Sequence, residues 1–267
     1  MGKWQPGRTV TDRYVDTWAF KGMHPTNVDL LQRLKSADDR QFGANMDVCG
    51  TVSEQRTDAW EETHMVGIRS DIWDSDLERR RLVMKLFKST GERIRWAGTI
   101  EEVTTREVHN SIGSRRTVLS MAVLMPGYEY LVMVQQNHRT FRIPPIFTFS
   151  FYDEKQGRMR YVGIKRKWFS VGADFVIESE GRKIGIIDGK LIGFGYDAYV
   201  RVQDPSLAKD RGFMDLLTLF AATVGYHRAM RKSVKRRVRA VGTGKPFLHP
   251  VEDEEFWLLK NPRRQAA

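Results

Sequence analysis

Ten short segments after residue 62 constrain this chain more than any other feature. Each is rich in β-branched, aromatic or Met residues: His64–Ile68, Leu82–Phe87, Ile94–Ile100, Val118–Met125, Tyr130–Gln135, Phe147–Phe151, Tyr161–Ile164, Phe175–Glu178, Ile184–Ile187 and Ala198–Val202. Turn signals separate most of them: Ser89-Thr90-Gly91, Ser111-Ile112-Gly113-Ser114, Pro126-Gly127, Gln156-Gly157 and Glu180-Gly181. Strands at roughly 8–12-residue spacing, with no long helix between them, predict a sandwich or barrel rather than a βαβ fold. Asp76–Arg81 reads equally as a helical turn or as loop.

The character switches after the tenth segment. Asp204–Gly212 reads as a linker, and Phe213–Met230 reads as one helix, apolar around most of its circumference. Such a helix must be enclosed by protein. An antiparallel barrel closed around it would bury its whole surface, and Ala221, Ala222 and Gly225 would let strands approach. Its unbroken apolar part, Leu216–Tyr226, is shorter than the roughly 20 residues that span a bilayer. Met1–Pro6 carries no apolar secretory core, so a cytoplasmic protein is expected.

Residues before the first segment are less patterned. Residues 1–25 read as an irregular arm; Thr26 or Asn27 can cap a short helix whose Val28, Leu30, Leu31 and Leu34 share one face. Residues 40–62 are polar and ambiguous. The predicted division is an arm with a short helical appendage over 1–62, a barrel with its helix over 63–240, and a tail over 241–267.

An internal repeat supports hairpins in the second half. Lys167-Trp-Phe-Ser-Val-Gly-Ala-Asp174 realigns 23 residues later with Lys190-Leu-Ile-Gly-Phe-Gly-Tyr-Asp197. Each copy reads as a strand, a tight Gly-Asp turn and a return strand, because Gly permits positive φ and Asp bonds back to the turn backbone. Around the repeat stand Phe151-Tyr152-Asp153, Gly163–Ser170 with Asp174, and Gly185–Lys190 with Gly193 to Asp197. Together with the apolar helix that follows, they resemble the tubby-like superfamily, in particular its LURP-one-related and phospholipid scramblase branches. The resemblance spans about 80 residues. It implies an all-β fold and a closed antiparallel barrel of about twelve strands threaded by the C-terminal helix. Members of that superfamily bind phosphoinositides at a membrane surface, which points to a peripheral role at anionic phospholipid, have been assigned lipid scrambling, or have no settled activity. No binding residue is carried over from that family, whose cationic residues lie in segments that do not align here.

Charge is concentrated rather than spread. The 267 residues carry 44 Lys+Arg against 33 Asp+Glu, a net +11. Residues 228–239 alone hold Arg228, Arg231, Lys232, Lys235, Arg236, Arg237 and Arg239 and no acid, while 240–267 balance, leaving +4 for 1–227. Continued as a helix, the run places Arg228, Lys232, Lys235 and Arg239 on one face. These seven are the candidate anion-binding residues. Three readings stay open: an anionic membrane surface, nucleic-acid phosphate, or a solvated or protein-binding face that pairs with Glu252–Glu255. The apolar islands Pro246–Pro250 and Phe256–Leu259 would dock back on the barrel or anchor a protein partner or a second copy.

Catalytic and cofactor readings fail on context. Gly193-Phe-Gly195-Tyr-Asp-Ala198 has dinucleotide-loop spacing, but strand-type residues follow where a helix must open. Gly242-Thr-Gly-Lys245 has Pro246 where a phosphate loop needs Ser or Thr, and Asp74-Ser-Asp76-Leu-Glu78 lacks the Gly and closing Glu of a calcium loop. The histidines offer no metal-binding pair, and the lone Cys49 excludes a disulfide framework and reads as a small buried hydrophobe. Glu61-Glu62-Thr63-His64 would form an acid–base pair only if adjacent strand residues shared a face. The expectation is a non-enzymatic protein with no cofactor and no metal.

Overall fold

Period-two burial runs through the second half of the chain. In β12 (Gly195–Val202) Tyr196, Ala198, Val200 and Val202 are buried and the residues between them are not; β8 (Ile146–Asp153) buries Phe147, Phe149 and Phe151 in the same way. This is the pattern of a sheet with one face on a core. The computed structural model describes residues 11–18, 41–42, 45–56, 59–77, 79–90, 93–137, 146–168, 172–192 and 195–243. Within them twelve strands form one closed antiparallel barrel, each paired with its neighbours in sequence. The others are β1 (Thr11–Trp18), β2 (Met46–Arg56), β3 (Ala59–Arg69), β4 (Val83–Thr90), β5 (Arg93–Glu102), β6 (Ser120–Leu124), β7 (Val132–Asn137), β9 (Arg158–Arg166), β10 (Phe175–Ser179) and β11 (Arg182–Ile192). β1 closes the ring on β12, from Thr11 opposite Val202 to Trp18 opposite Gly195. Closure leaves no strand edge to aggregate.

Each of the ten expected segments falls on one of β3 to β12, but the barrel begins earlier than residue 63. β1 lies in the expected irregular arm and β2 in the ambiguous stretch. The inward positions of β1 are Arg13, Val15 and Thr17, of which only Val15 is apolar, so its alternation is invisible to hydropathy. In β2 two register shifts, at Val48/Gly50 and Val52/Ser53, break the period. The expected helix near residues 27–34 and the tail beyond Thr243 lie outside the described residues.

Helices also differ from expectation. Asp76–Arg81 makes one helical turn, in which Asp76 O accepts from Arg79 N at 3.0 Å and from Arg80 N at 2.7 Å; a further short helix, α1 (Ser70–Trp73), precedes it. Helix α2 (Thr104–Ser114) replaces the turn read at Ser111–Ser114. Its Thr104, Thr105, Val108, Ile112 and Gly113 are modest helix formers, and burial of Thr104, Glu107, Val108 and Ser111 holds it. After the short α3 (Pro205–Ala208), the segment read as one helix is two: α4 (Arg211–Thr223) and α5 (His227–Gly242), joined by a 3₁₀ turn at Val224–Tyr226. Gly225, a poor helix former, sits in that turn.

The repeat forms two hairpins that lock together. Lys190 stands opposite Asp197 between β11 and β12, and Lys167 N donates to Asp174 O at 2.9 Å as β9 turns into β10. Asp174 Oδ1 accepts from Gly189 N at 3.0 Å, and the Tyr196 hydroxyl donates to Ala173 O at 2.8 Å. Gly189 is required there: a Cβ would stand 2.5 Å from Cε2 of Tyr196. Between β10 and β11, Glu180 (φ 53°) and Gly181 (φ 76°) form the two-residue link, both in the left-handed region that such hairpins favour.

α4 contributes its apolar residues to the main buried cluster. Asp210 caps it by accepting from Phe213 N at 3.0 Å. Phe213, Leu216, Leu217, Leu219, Phe220, Ala221 and Ala222 are all fully buried, and the Thr218 hydroxyl is satisfied by Met214 O at 2.7 Å. Phe213 packs on Phe149 and Phe151, and Phe220 on Phe147 and Phe175. Other α4 residues meet β1, β4, β5 and β12. A second, smaller cluster, with Met46, Met65, Phe87 and Ile94, lies apart from this core on β2 to β5 and packs against Phe42, Trp18 and Trp96.

The two ends of the barrel are unlike. Where α4 begins, the wall leaves a cavity of about 820 Å³ between β3, β4, β5 and the amino end of α4. At the opposite end α2 and α5 pack against each other.

Candidate functional site

The basic run forms most of α5, and the helix sorts its cations. His227, Met230, Ser233, Val234 and Arg237 face inward. Arg228, Lys232, Lys235, Arg236 and Arg239 are exposed, and Arg231 is half-buried. The face expected from spacing, Arg228, Lys232, Lys235 and Arg239, is therefore brought together and is joined by Arg236. No acidic side chain stands on α5.

Arg237 leaves the expected set. It is 0 % exposed. Its Nε donates to Leu77 O at 3.2 Å, its Nη1 lies 3.5 Å from Glu102 Oε1, and its Nη2 donates to Arg80 O. Glu102 in turn accepts from Leu82 N at 2.9 Å. A guanidinium so placed ties α5 to the β3–β4 connection and to the end of β5, where a free anion cannot reach it. The physical reason is position: Arg237 follows Met230 by seven residues and Val234 by three, so it shares their inward face.

Glu107 of α2 completes this buried cluster. Its Oε1 accepts from Ser120 N at 3.0 Å. Burial and the neighbouring Glu102 hold its carboxyl well above the usual range, opposed in part by Arg237. Two carboxylates beside one guanidinium cannot both ionise cheaply, so Glu107 keeps its proton. At the start of α5, His227 Nε2 lies 3.0 Å from the Thr223 hydroxyl. Burial, then Arg231 and Arg166, hold that imidazole at about 3, so it is neutral at pH 7.

α2 extends the basic face in a way that no local sequence signal reveals. Arg106 and His109 are exposed on it, as are Arg115 and Arg116 just beyond it, while its one acid, Glu107, is buried. Ile112 is 48 % exposed among them. From the end of β9 Arg166 comes close enough to Arg231 to lower the latter's pKa, after the larger effect of burial. Two residues further on, Trp168 is 63 % exposed. The barrel end thus presents cations from α5 and α2 with two apolar side chains among or beside them. The signal that could have found α2 is tertiary: packing against α5.

Other candidates resolve simply. Gly195–Val202 is strand, not the helix a dinucleotide loop requires. A helix, α5, leads into Gly242-Thr-Gly-Lys245, where a phosphate loop follows a strand. Cys49 is buried, and that burial raises its thiol to about 12, so it behaves as a small apolar side chain. Asp174 serves the hairpins by accepting from Gly189 N, whereas Asp197, expected in a turn, lies within β12 opposite Lys190 and reaches Tyr14 of β1. Glu61 and Glu62 are exposed while both Thr63 and His64 are buried; the register shift opposite Val52/Ser53 turns two consecutive residues inward. Among the described residues, no helix is long and apolar enough to cross a membrane. No family model, curated protein or solved structure matches the chain.

Proposed function

We propose that this protein is a non-enzymatic peripheral module that binds anionic phospholipid surfaces through the exposed face of α5, extended by α2. The reading includes a tubby-like barrel in which α4 runs through the lumen as an enclosed helix. The burial of α4 on all sides and its side-chain packing on β8 and β10 support that placement, and the interlocked Lys-to-Asp hairpins support the family.

One observation carries the functional reading. Five exposed cations, Arg228, Lys232, Lys235, Arg236 and Arg239, share one helix with no acid among them, near Arg106 of the neighbouring helix and Arg115 and Arg116 just beyond its end. Each basic side chain near an anionic bilayer contributes about 1 kcal/mol. Five engaged residues would contribute about 5 kcal/mol at low ionic strength and less in physiological salt. Exposed Ile112 and Trp168 favour a bilayer over a nucleic-acid backbone, because apolar and indole groups gain from the headgroup boundary.

Co-sedimentation with vesicles tests the reading. The chain is expected to pellet with vesicles containing phosphatidylserine, to stay in solution with phosphatidylcholine alone, and to be released by salt. Equal binding to neutral vesicles overturns it. Tighter binding to RNA or duplex DNA than to anionic vesicles at the same salt assigns the face to nucleic acid instead.

A further inference from the structure

The cavity at the opposite barrel end uses none of the residues of the basic face. Its floor is built from β1, β3 and α4. Arg13, 4 % exposed, donates from Nη1 to Asp215 Oδ1 at 2.6 Å and to Thr218 Oγ1 at 3.1 Å, and from Nε to Glu54 Oε1 at 2.8 Å. His64, 1 % exposed, has Nδ1 2.8 Å from the Thr63 hydroxyl. Its Nε2 has no hydrogen-bond partner among the described residues and lies 3.9 Å from Asp215 Oδ1, too far for a bond. Buried polar atoms are rarely left unsatisfied.

The walls carry charge that is not otherwise used. Lys88 of β4, Arg95 of β5 and Arg211 at the start of α4 line the cavity. None of the three forms an ion pair or side-chain hydrogen bond among the described residues. Lys88 lies close enough to raise the local positive potential at both His64 and Asp215. Glu61 and Glu62 also line the rim but are engaged in contacts of their own. The amino end of α4, through Arg211 and Gly212, opens on the same space, and a helix amino terminus favours an anion there.

We propose that this cavity binds a small phosphate monoester, with Lys88, Arg95 and Arg211 on the phosphate oxygens and His64 Nε2 donating from the floor. In that arrangement Nδ1 accepts from the Thr63 hydroxyl, 2.8 Å away, and the ring proton stands on Nε2. Burial, Arg13 and Lys88 hold the imidazole at about 2, so it acts as a neutral donor at pH 7. Three cations lining one cavity beside a helix amino end match a multiply charged anion with several acceptor oxygens better than a single carboxylate. The volume lies within the range of small-ligand sites. Ala97, Met125 and Pro126 give the organic part of the ester an apolar wall.

Isothermal titration with phenyl phosphate tests this site independently of the lipid reading. At low ionic strength the full chain is expected to bind one equivalent with a Kd of about 1 mM or tighter. Lys88→Ala and Arg211→Ala, both at partly or fully exposed positions, should each weaken binding about tenfold, the loss of one charge-assisted contact. Lys232→Ala with Lys235→Ala, at the other end, should leave the affinity unchanged. Absence of saturable binding overturns the proposal, and so does binding that the α5 pair abolishes while Lys88→Ala and Arg211→Ala leave it intact.

Discussion

The two ends of this barrel each bury an arginine, and they use it in opposite ways. At the cavity end Arg13 reaches from β1 to Glu54 and Asp215, and with Asp215 forms part of the floor of an open space. At the basic end Arg237 reaches from α5 to Glu102 and two backbone carbonyls, filling its site completely. One arrangement frames an opening; the other fastens a helix so that the rest of that helix's cations stand outside. Burial, not charge, separates an arginine that holds structure from one that meets a partner.

The largest effect expected from this difference is on stability. Arg237→Ala leaves Glu102 buried without its cation and should cost about 3–5 kcal/mol, since an unpaired buried charge is expensive. Arg236→Ala, one residue away and exposed, should change stability by no more than about 0.5 kcal/mol. Urea unfolding of the two variants checks this, and similar losses for both would mean that the inward and outward faces of α5 are wrongly assigned.

A smaller effect concerns pH, and it samples both ends. His64 sits at the cavity end and His227 at the start of α5, with folded pKa values of about 2 and about 3 against 6.5 unfolded. The unfolded chain therefore takes up protons first as pH falls. Stability from these groups is complete above pH 6.5 and is lost below it, at about 1.4 kcal/mol per pH unit for each histidine. His64→Gln and His227→Gln should each remove about half of the histidine-linked slope between pH 6.5 and 5. Glu107 acts with the other sign: its folded pKa is raised, so it favours folding at acid pH and opposes it as pH rises past its unfolded value of 4.5. Glu107→Gln should accordingly raise stability at pH 7, read as a higher Tm at that pH only. A slope unchanged in all three variants would remove these groups from the account.

Much of the barrel was legible because period-two burial is written in hydropathy wherever inward positions are apolar, as in β8 and β12. β1 was hidden because its inward Arg13 and Thr17 are polar, satisfied by Asp215 and by Tyr196 O rather than by apolar neighbours. Thr63 and His64 escaped for a related reason, since a register shift overrides the rule that adjacent strand residues face apart. Six of the seven basic candidates lie on the outer or half-buried positions of α5. Arg237 was readable in principle from its spacing to Met230 and Val234, but a dense run of charge masks that inward stripe. The cations of α2, more than a hundred residues earlier in the chain, join the face only through folding.

Location, rather than net charge, is the central claim, and a matched charge-removal experiment addresses it most directly. One variant neutralises three cations on the basic face, Arg228→Gln, Lys232→Gln and Lys235→Gln. The other neutralises three at the cavity end, Lys88→Gln, Arg95→Gln and Arg211→Gln, with the same change in net charge. Binding of each to phosphatidylserine vesicles is compared at one salt concentration. At least a tenfold loss is expected for the first variant, from about 1 kcal/mol for each lost cation, and little change for the second. Equal losses in the two would contradict the central claim.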